Sequence, residues 1–307
     1  MATLFPKDFV EAHGTAFPAW NLGDSLAYCR GLSGAHYENF HVVSLLLPKR
    51  LHQDFFNVYA YCRWADDLGD EFGDPERSLE LLDWWSGGLE AMYAGRAEHP
   101  VFVALQTTVE KHGIPQEPFA DLIRAFVQDQ TKTRYASYDE VLDYCVYSAN
   151  PVGRLVLHLC GYADAERLRL SDMTCTALQL ANHWQDVRRD YIERNRIYVP
   201  QEVLQAHGAS VGTLEDDLKL GAASEQVRAT FAELVQRAQQ KFEQGLPLAD
   251  TLDRRLAIDI ELFSRGGMAI LEKIRKQDFD PVCERPRVGK LERVGLLIGV
   301  VGRRLLS

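Results

Sequence analysis

The chain has 307 residues, 46% of them hydrophobic and 25% charged, and Asp plus Glu outnumber Lys plus Arg by 44 to 34. That composition is globular and excludes a disordered chain. A net charge of −10 argues against a nucleic-acid binder, which carries a basic field. An anionic ligand would need local arginines or a metal ion. Six cysteines (Cys29, Cys62, Cys145, Cys160, Cys175, Cys283) form no C-x-x-C pair. With no signal peptide read at the start, reduced thiols in a cytoplasmic protein are expected.

Apolar residues recur at three- and four-residue steps, which predicts helices over 24–32, 36–46, 48–69, 75–94, 99–112, 116–131, 137–159, 163–192, 199–206, 213–219, 223–246, 250–276 and 287–306. Breaks fall at Gly73-Asp74-Pro75, Gly113-Ile114-Pro115 and Gly245-Leu246-Pro247. Asp74 before Pro75 reads as an N-cap with proline in the first turn. No Pro-, Gly- or Ser-rich gap and no repeat divides the sequence. The expectation is one all-α domain over 1–307, a helical bundle whose interior holds a ligand. No apolar run reaches the roughly 20 residues that span a bilayer. The longest, Val294 to Val301, is flanked by Arg293, Arg303 and Arg304. It reads either as the end of a core helix or as a segment resting on a membrane surface.

Two stretches carry chemistry. In the first, Tyr59, Arg63, Asp66 and Asp70 follow one another at steps of four, three and four on one helix face. In the second, Gln179, Asn182, Asp186 and Asp190 do the same at three, four and four. Like charges four apart cost a few tenths of a kcal/mol in a helix, so solvent or a cation must offset them. A solvated acidic face explains either stripe alone. Two such stripes, each where an apolar stretch turns charged, fit better with hard cations held by carboxylates and a ligand phosphate. Four carboxylates and a diphosphate of about −3 are nearly balanced by about three Mg²⁺ ions, leaving about −1 for Arg63, Arg188 and Arg196 to screen.

These residues resemble a known family. Tyr59 to Asp70, Y-x-x-x-R-x-x-D-D-x-x-D, is similar to the first aspartate motif of squalene and phytoene synthases. Asn182 to Pro200, N-x-x-x-D-V-x-x-D followed by R-I-Y-V-P, is similar to the second. His36-Tyr37-Glu38-Asn39-Phe40 with Leu47-Pro48 resembles the family's entry helix, and Tyr144 with Val152-Gly153 its central helix. The resemblance implies an isoprenoid-synthase fold with a central cavity, Mg²⁺ and a prenyl diphosphate substrate. It implies Asp66, Asp70, Asn182, Asp186 and Asp190 as metal ligands. Arg63, Arg188, Arg196 and Tyr198 are implied as diphosphate contacts, with Tyr59, Tyr144 and Gln179 lining the reaction zone. His36, Phe40, Val152 and Gly153 are further substrate contacts on this resemblance. Aromatic faces can stabilise a carbocation kept from water; Phe40, Phe55, Phe56, Tyr59, Trp64, Tyr144 and Tyr147 are candidates, with core packing the other reading of each.

One departure is informative. Where many members read V-A-G-x-V-G, this chain reads Ser148-Ala149-Asn150-Pro151-Val152-Gly153. Pro151 removes a backbone donor and predicts a local helix break. Ser148 and Asn150 either satisfy that break, Ser148 by bonding the carbonyl four residues back, or hold a water that quenches the cation to an alcohol. The segment resembles hydroxysqualene synthases of hopanoid pathways, which implies presqualene diphosphate as substrate and no need for NADPH. Head-to-head condensation of two prenyl diphosphates, by a presqualene diphosphate, squalene, dehydrosqualene or phytoene synthase, remains the alternative. From other classes come an assembly factor derived from the family and a class I terpene cyclase. Arg285, Arg287 and Lys290 form either a basic lid over the diphosphate or a solvated loop. Asp216-Asp217 reads as a solvated helix end, and His183 as facing away from the motif. A greasy substrate and product bring the expectation of peripheral contact with the inner membrane or with neighbouring pathway enzymes.

Overall fold

Helix starts are fixed by short polar side chains that take up the first free amides. Asp74 accepts the Glu76 N–H at 3.1 Å ahead of Pro75, as its sequence predicts. Ser137 accepts from the Glu140 N–H at 3.2 Å, and Asp253 from the Arg255 and Leu256 amides at 3.0 and 3.3 Å. Ser210 and Thr213 cap one another reciprocally. The computed structural model describes residues 4–16, 19–35 and 48–306. In chain order these form α1 (Pro6–His13), α2 (Leu22–Ala35), α3 (His52–Asp70), α4 (Pro75–Tyr93), α5 (Pro100–His112), α6 (Glu117–Asp129) and α7 (Tyr138–Ser148). There follow α8 (Asn150–Cys160), α9 (Ala165–Arg194), α10 (Gln201–Ala206), α11 (Val211–Leu220), α12 (Glu225–Gly245), α13 (Arg254–Lys276) and α14 (Lys290–Leu306). Among the described residues the only β-type pairing is an isolated bridge between Arg134 and Ile197. The all-α expectation holds.

The chain groups into two compact units, Met1–Thr131 with Pro151–Asp164, and Lys132–Asn150 with Ala165–Ser307. In the first, α3 packs against α2, α4, α5 and α6. No residue from Leu51 to Asp70 is exposed. An aromatic core surrounds α3: Trp64 stacks on Trp85 at 5.0 Å and 7°, and Tyr61 meets the edge of Phe119 at 4.9 Å. Trp64 Nε1 donates to the Tyr28 hydroxyl at 3.1 Å and the Tyr61 hydroxyl to the Phe119 carbonyl at 2.8 Å, while Trp85 Nε1 is buried with no hydrogen-bond partner among the described residues. In the second unit α9 runs along α12 and α13. Gly267 makes the approach possible, because a Cβ there would lie 2.2 Å from Phe242 Cζ.

Differences from the sequence reading have local causes. The helix predicted over 137–159 is interrupted at Ala149, because Pro151 cannot donate to the Tyr147 carbonyl. The helix predicted from 250 begins at Arg254, where Asp253 caps it, and 246–251 is a 3-10 turn. The last helix begins at Lys290, because Pro281 to Gly289 is tied down instead. Asp280 accepts the Val282 and Cys283 amides, and Gln185 Nε2 donates to the Pro286 carbonyl at 2.6 Å. Asp217 is not solvated: it accepts from the Ser224 N–H and hydroxyl at 2.7 and 2.6 Å, while Asp216 stays exposed. The predicted helix over 36–46, with His36 and Phe40, lies outside the described residues.

Candidate active site

The first stripe sits on α3, where Tyr59, Arg63, Asp66 and Asp70 are all half-buried. Arg63 divides its guanidinium between two acids, lying 3.7 Å from Asp66 and ion-paired through Nη2 with Asp67. Asp67 is buried four residues after Arg63, and that spacing was the signal for it. Burial pushes its carboxyl up to about 7 against the pull of Arg63. Burial also raises the Tyr59 hydroxyl. Of the other aromatic candidates in this unit, Phe55 and Trp64 are core residues and Phe56 is half-buried. Val152 is exposed and Gly153 half-buried in the first turn of α8.

The second stripe sits on α9. Asn182 is exposed, while Gln179, Asp186 and Asp190 are half-buried. Arg285, arriving from the segment after α13, holds Asp186 through Nε and through Nη2, the latter at 3.0 Å. Burial and the Asp186 charge push the Asp190 carboxyl up to about 7, against opposing pulls from Arg194, Arg189 and Arg196. Arg196 is buried, and its N–H donates to the Asp190 carbonyl at 3.1 Å. Arg188 is directed elsewhere, its Nε donating to the Leu218 carbonyl at 3.1 Å at the end of α11. It lines a cleft of about 240 Å³ with Gln185, Arg189, Cys283 and Arg285.

Tyr144 and Tyr198 are brought together, their rings 5.4 Å apart, with Tyr135 at 5.4 Å from Tyr198. His183 does not turn away from them: it stacks on Tyr198 at 3.7 Å and 16°. Burial holds its pKa down to about 3, so the ring is neutral. Beside this cluster comes the break between α7 and α8. The Ser148 hydroxyl is buried with no hydrogen-bond partner among the described residues, so it does not bond back to its helix. Asn150 is buried, and its Oδ1 accepts from Thr176 Oγ1 at 3.0 Å. Tyr147 is half-buried.

The donors fit a hard divalent cation. Asp66, Asp70, Asp186 and Asp190 are carboxylates, Asn182 offers an amide oxygen, and hard cations take oxygen ligands. Burial first and the Asp186 charge second raise the Asp190 carboxyl, and a cation bound beside it favours the charged form. Among the described residues no three His, Cys, Asp or Glu side chains gather as a ready cluster.

Residues 33–292 match the squalene/phytoene synthase family model. A hydroxysqualene synthase from Rhodopseudomonas palustris is 35% identical over 88% of this chain and 89% of its own. A phytoene synthase from Thermus thermophilus is 33% identical over 86% of this chain and 88% of its own. The crystal structure of squalene synthase HpnC from Alicyclobacillus acidocaldarius superposes with a TM-score of 0.79 at 45% identity, covering 88% of this chain and 99% of that one. The helical fold is that of the isoprenoid synthases. The chain belongs to the squalene/phytoene synthase family and is an enzyme of isoprenoid biosynthesis.

Proposed function

We propose that the enzyme ionises presqualene diphosphate and captures the rearranged cation with water, giving hydroxysqualene and diphosphate. The carbon–oxygen bond to diphosphate breaks, a new bond forms from the water oxygen to carbon, and the water gives up a proton. The observation that carries this reading is the Ser148 hydroxyl, buried with no hydrogen-bond partner among the described residues, two residues before Asn150. A buried polar group without a partner is costly. It is explained when a water binds there, hydrogen-bonded to Ser148 and supported by the Asn150–Thr176 pair. The hydroxysqualene synthase relatives support the same product.

In this reading Asp66, Asp70, Asn182, Asp186 and Asp190 hold about three Mg²⁺ ions with the bound diphosphate. When bound, Mg²⁺ supplies Lewis-acid stabilisation of the departing diphosphate. Arg63 and Arg196 add fixed positive charge for it, and Arg285, held on Asp186, adds more. Tyr59, Tyr144 and Gln179 line the cation's surroundings, with Tyr198 at the diphosphate, and the aromatic faces favour positive charge over bulk water. Val152 and Gly153 contact the hydrocarbon chain, which binds at about 0.8 kcal/mol per buried CH₂. The Thermus phytoene synthase relative favours a second reading, head-to-head condensation of two prenyl diphosphates.

Product analysis separates them. With Mg²⁺ and synthetic presqualene diphosphate the expected product is hydroxysqualene, formed equally with and without NADPH. Turnover of farnesyl diphosphate alone, with presqualene diphosphate ignored, would sink the first reading in favour of the second.

A further inference from the structure

The C-terminal helix α14 touches the protein along a narrow line. Val300 is buried, Leu296 half-buried, and Arg304 is tied down, Nε to Glu261 at 2.7 Å and Nη1 to Asp250 at 2.6 Å. Away from that line the helix is bare. Leu291 is 88% exposed, Val294 52%, Leu297 42%, Ile298 67% and Leu305 62%. Leu291, Val294, Ile298, Val301 and Leu305 follow at alternating steps of three and four, so they form one stripe down one face, exposed except at the half-buried Val301. Single exposed apolar side chains are ordinary; a continuous stripe marks an interaction surface.

Charge identifies the occupant. From Arg287 to Leu306 there are five basic residues, Arg287, Lys290, Arg293, Arg303 and Arg304, against the single acid Glu292, in a chain whose net charge is −10. Glu292 is engaged by Lys273, and Arg303 and Arg304 are engaged by Glu261, so the charge that bears on a ligand is that of Arg287, Lys290 and Arg293. Arg287, Lys290 and Arg293 are exposed beside the start of the stripe. A second copy seated on this face would bring like charges together. An apolar stripe edged with basic residues fits a negatively charged lipid surface, in whose plane such a helix lies. No helix among the described residues is long and apolar enough to cross a membrane.

We propose that α14 docks the enzyme on an anionic bilayer. Leu291, Val294, Ile298 and Leu305 enter the boundary between headgroups and acyl chains, while Arg287, Lys290 and Arg293 meet lipid phosphates. This holds whichever prenyl diphosphate is the substrate. The test is flotation of the full chain with vesicles of phosphatidylcholine alone or with about one third phosphatidylglycerol. Partitioning onto the anionic vesicles is expected to be at least about tenfold higher and to weaken in high salt. Leu291→Ser with Ile298→Ser lowers it by about tenfold or more. Lys290→Glu with Arg293→Glu removes the preference for anionic lipid. Far-UV circular dichroism confirms that both variants are folded. Negligible binding to both vesicles, equal binding to both, or wild-type binding by the serine variant overturns the proposal. A dimer by light scattering that the serine variant dissolves, without vesicle binding, also overturns it and assigns the face to a second copy.

Discussion

Arg285 grips Asp186 through two guanidinium nitrogens although 99 residues separate them in the chain. The carboxylate that matches the second family motif is thereby neutralised by the protein's own cation. A divalent ion binding there must share or displace that arginine. In the absence of diphosphate, Arg285→Gln is therefore expected to tighten Mg²⁺ binding by about two- to fivefold, since a partly exposed ion pair is worth up to about 1 kcal/mol. Titration calorimetry reads this directly; unchanged or weaker binding would show that the two cations do not compete.

Loss of a ligating carboxylate acts on the leaving group. Asp66→Ala and Asp186→Ala are each expected to lose at least about 10²-fold in turnover at saturating substrate, because incomplete metal binding leaves the developing diphosphate charge unstabilised. Near wild-type turnover in both variants rules out the metal assignment.

The hydroxyl of Ser148 separates stability from chemistry. It makes no hydrogen bond to protein among the described residues, so Ser148→Ala is expected to leave stability unchanged or to raise it by about 1 kcal/mol. The same change, or Asn150→Gly, moves the product mixture from the alcohol toward hydrocarbon. Denaturant unfolding and gas chromatography measure the two effects. An unaltered product profile retires the bound water.

A pH effect on stability comes from the first unit. Burial raises Asp54, but hydrogen bonds from Lys111 and His112, at 2.7 and 3.0 Å, hold its carboxyl below the ordinary range. A carboxylate lowered on folding stabilises above its unfolded pKa, about 3.9, and that contribution fades as pH falls through the folded value. Asp54→Asn is expected to cost about 2 kcal/mol at neutral pH. Its deficit relative to the wild type shrinks below about pH 4. A deficit constant down to acid unfolding contradicts the pairing.

Much of this was legible in local sequence. Helical periodicity, the Asp74-Pro75 start and the interruption before Pro151 depend on neighbours a few residues away. Both aspartate stripes follow from the same spacing arithmetic. What spacing could not decide was choice among equivalent local partners, or pairing over long range. Arg63 reaches both Asp66 and Asp67, and only burial gives Asp67 the close pair. Arg188 carries a motif position, yet the free Leu218 carbonyl at a helix end claims it. His183 lies off the acidic stripe by helical arithmetic, but the Tyr144 and Tyr198 rings supply a stacking site that no local pattern encodes. The short α1 lacks a periodic run, and Phe9 holds it by its edge contact with Trp64 at 5.3 Å.

The stacked indoles of α3 and α4 have an optical consequence. Four of the five tryptophans, Trp20, Trp64, Trp84 and Trp85, belong to the first unit. Trp184 belongs to the second, two residues from Asp186. With the other four replaced by phenylalanine, emission comes from a lone fluorophore on the motif helix. Its colour and quenching then report events around α9 without a label.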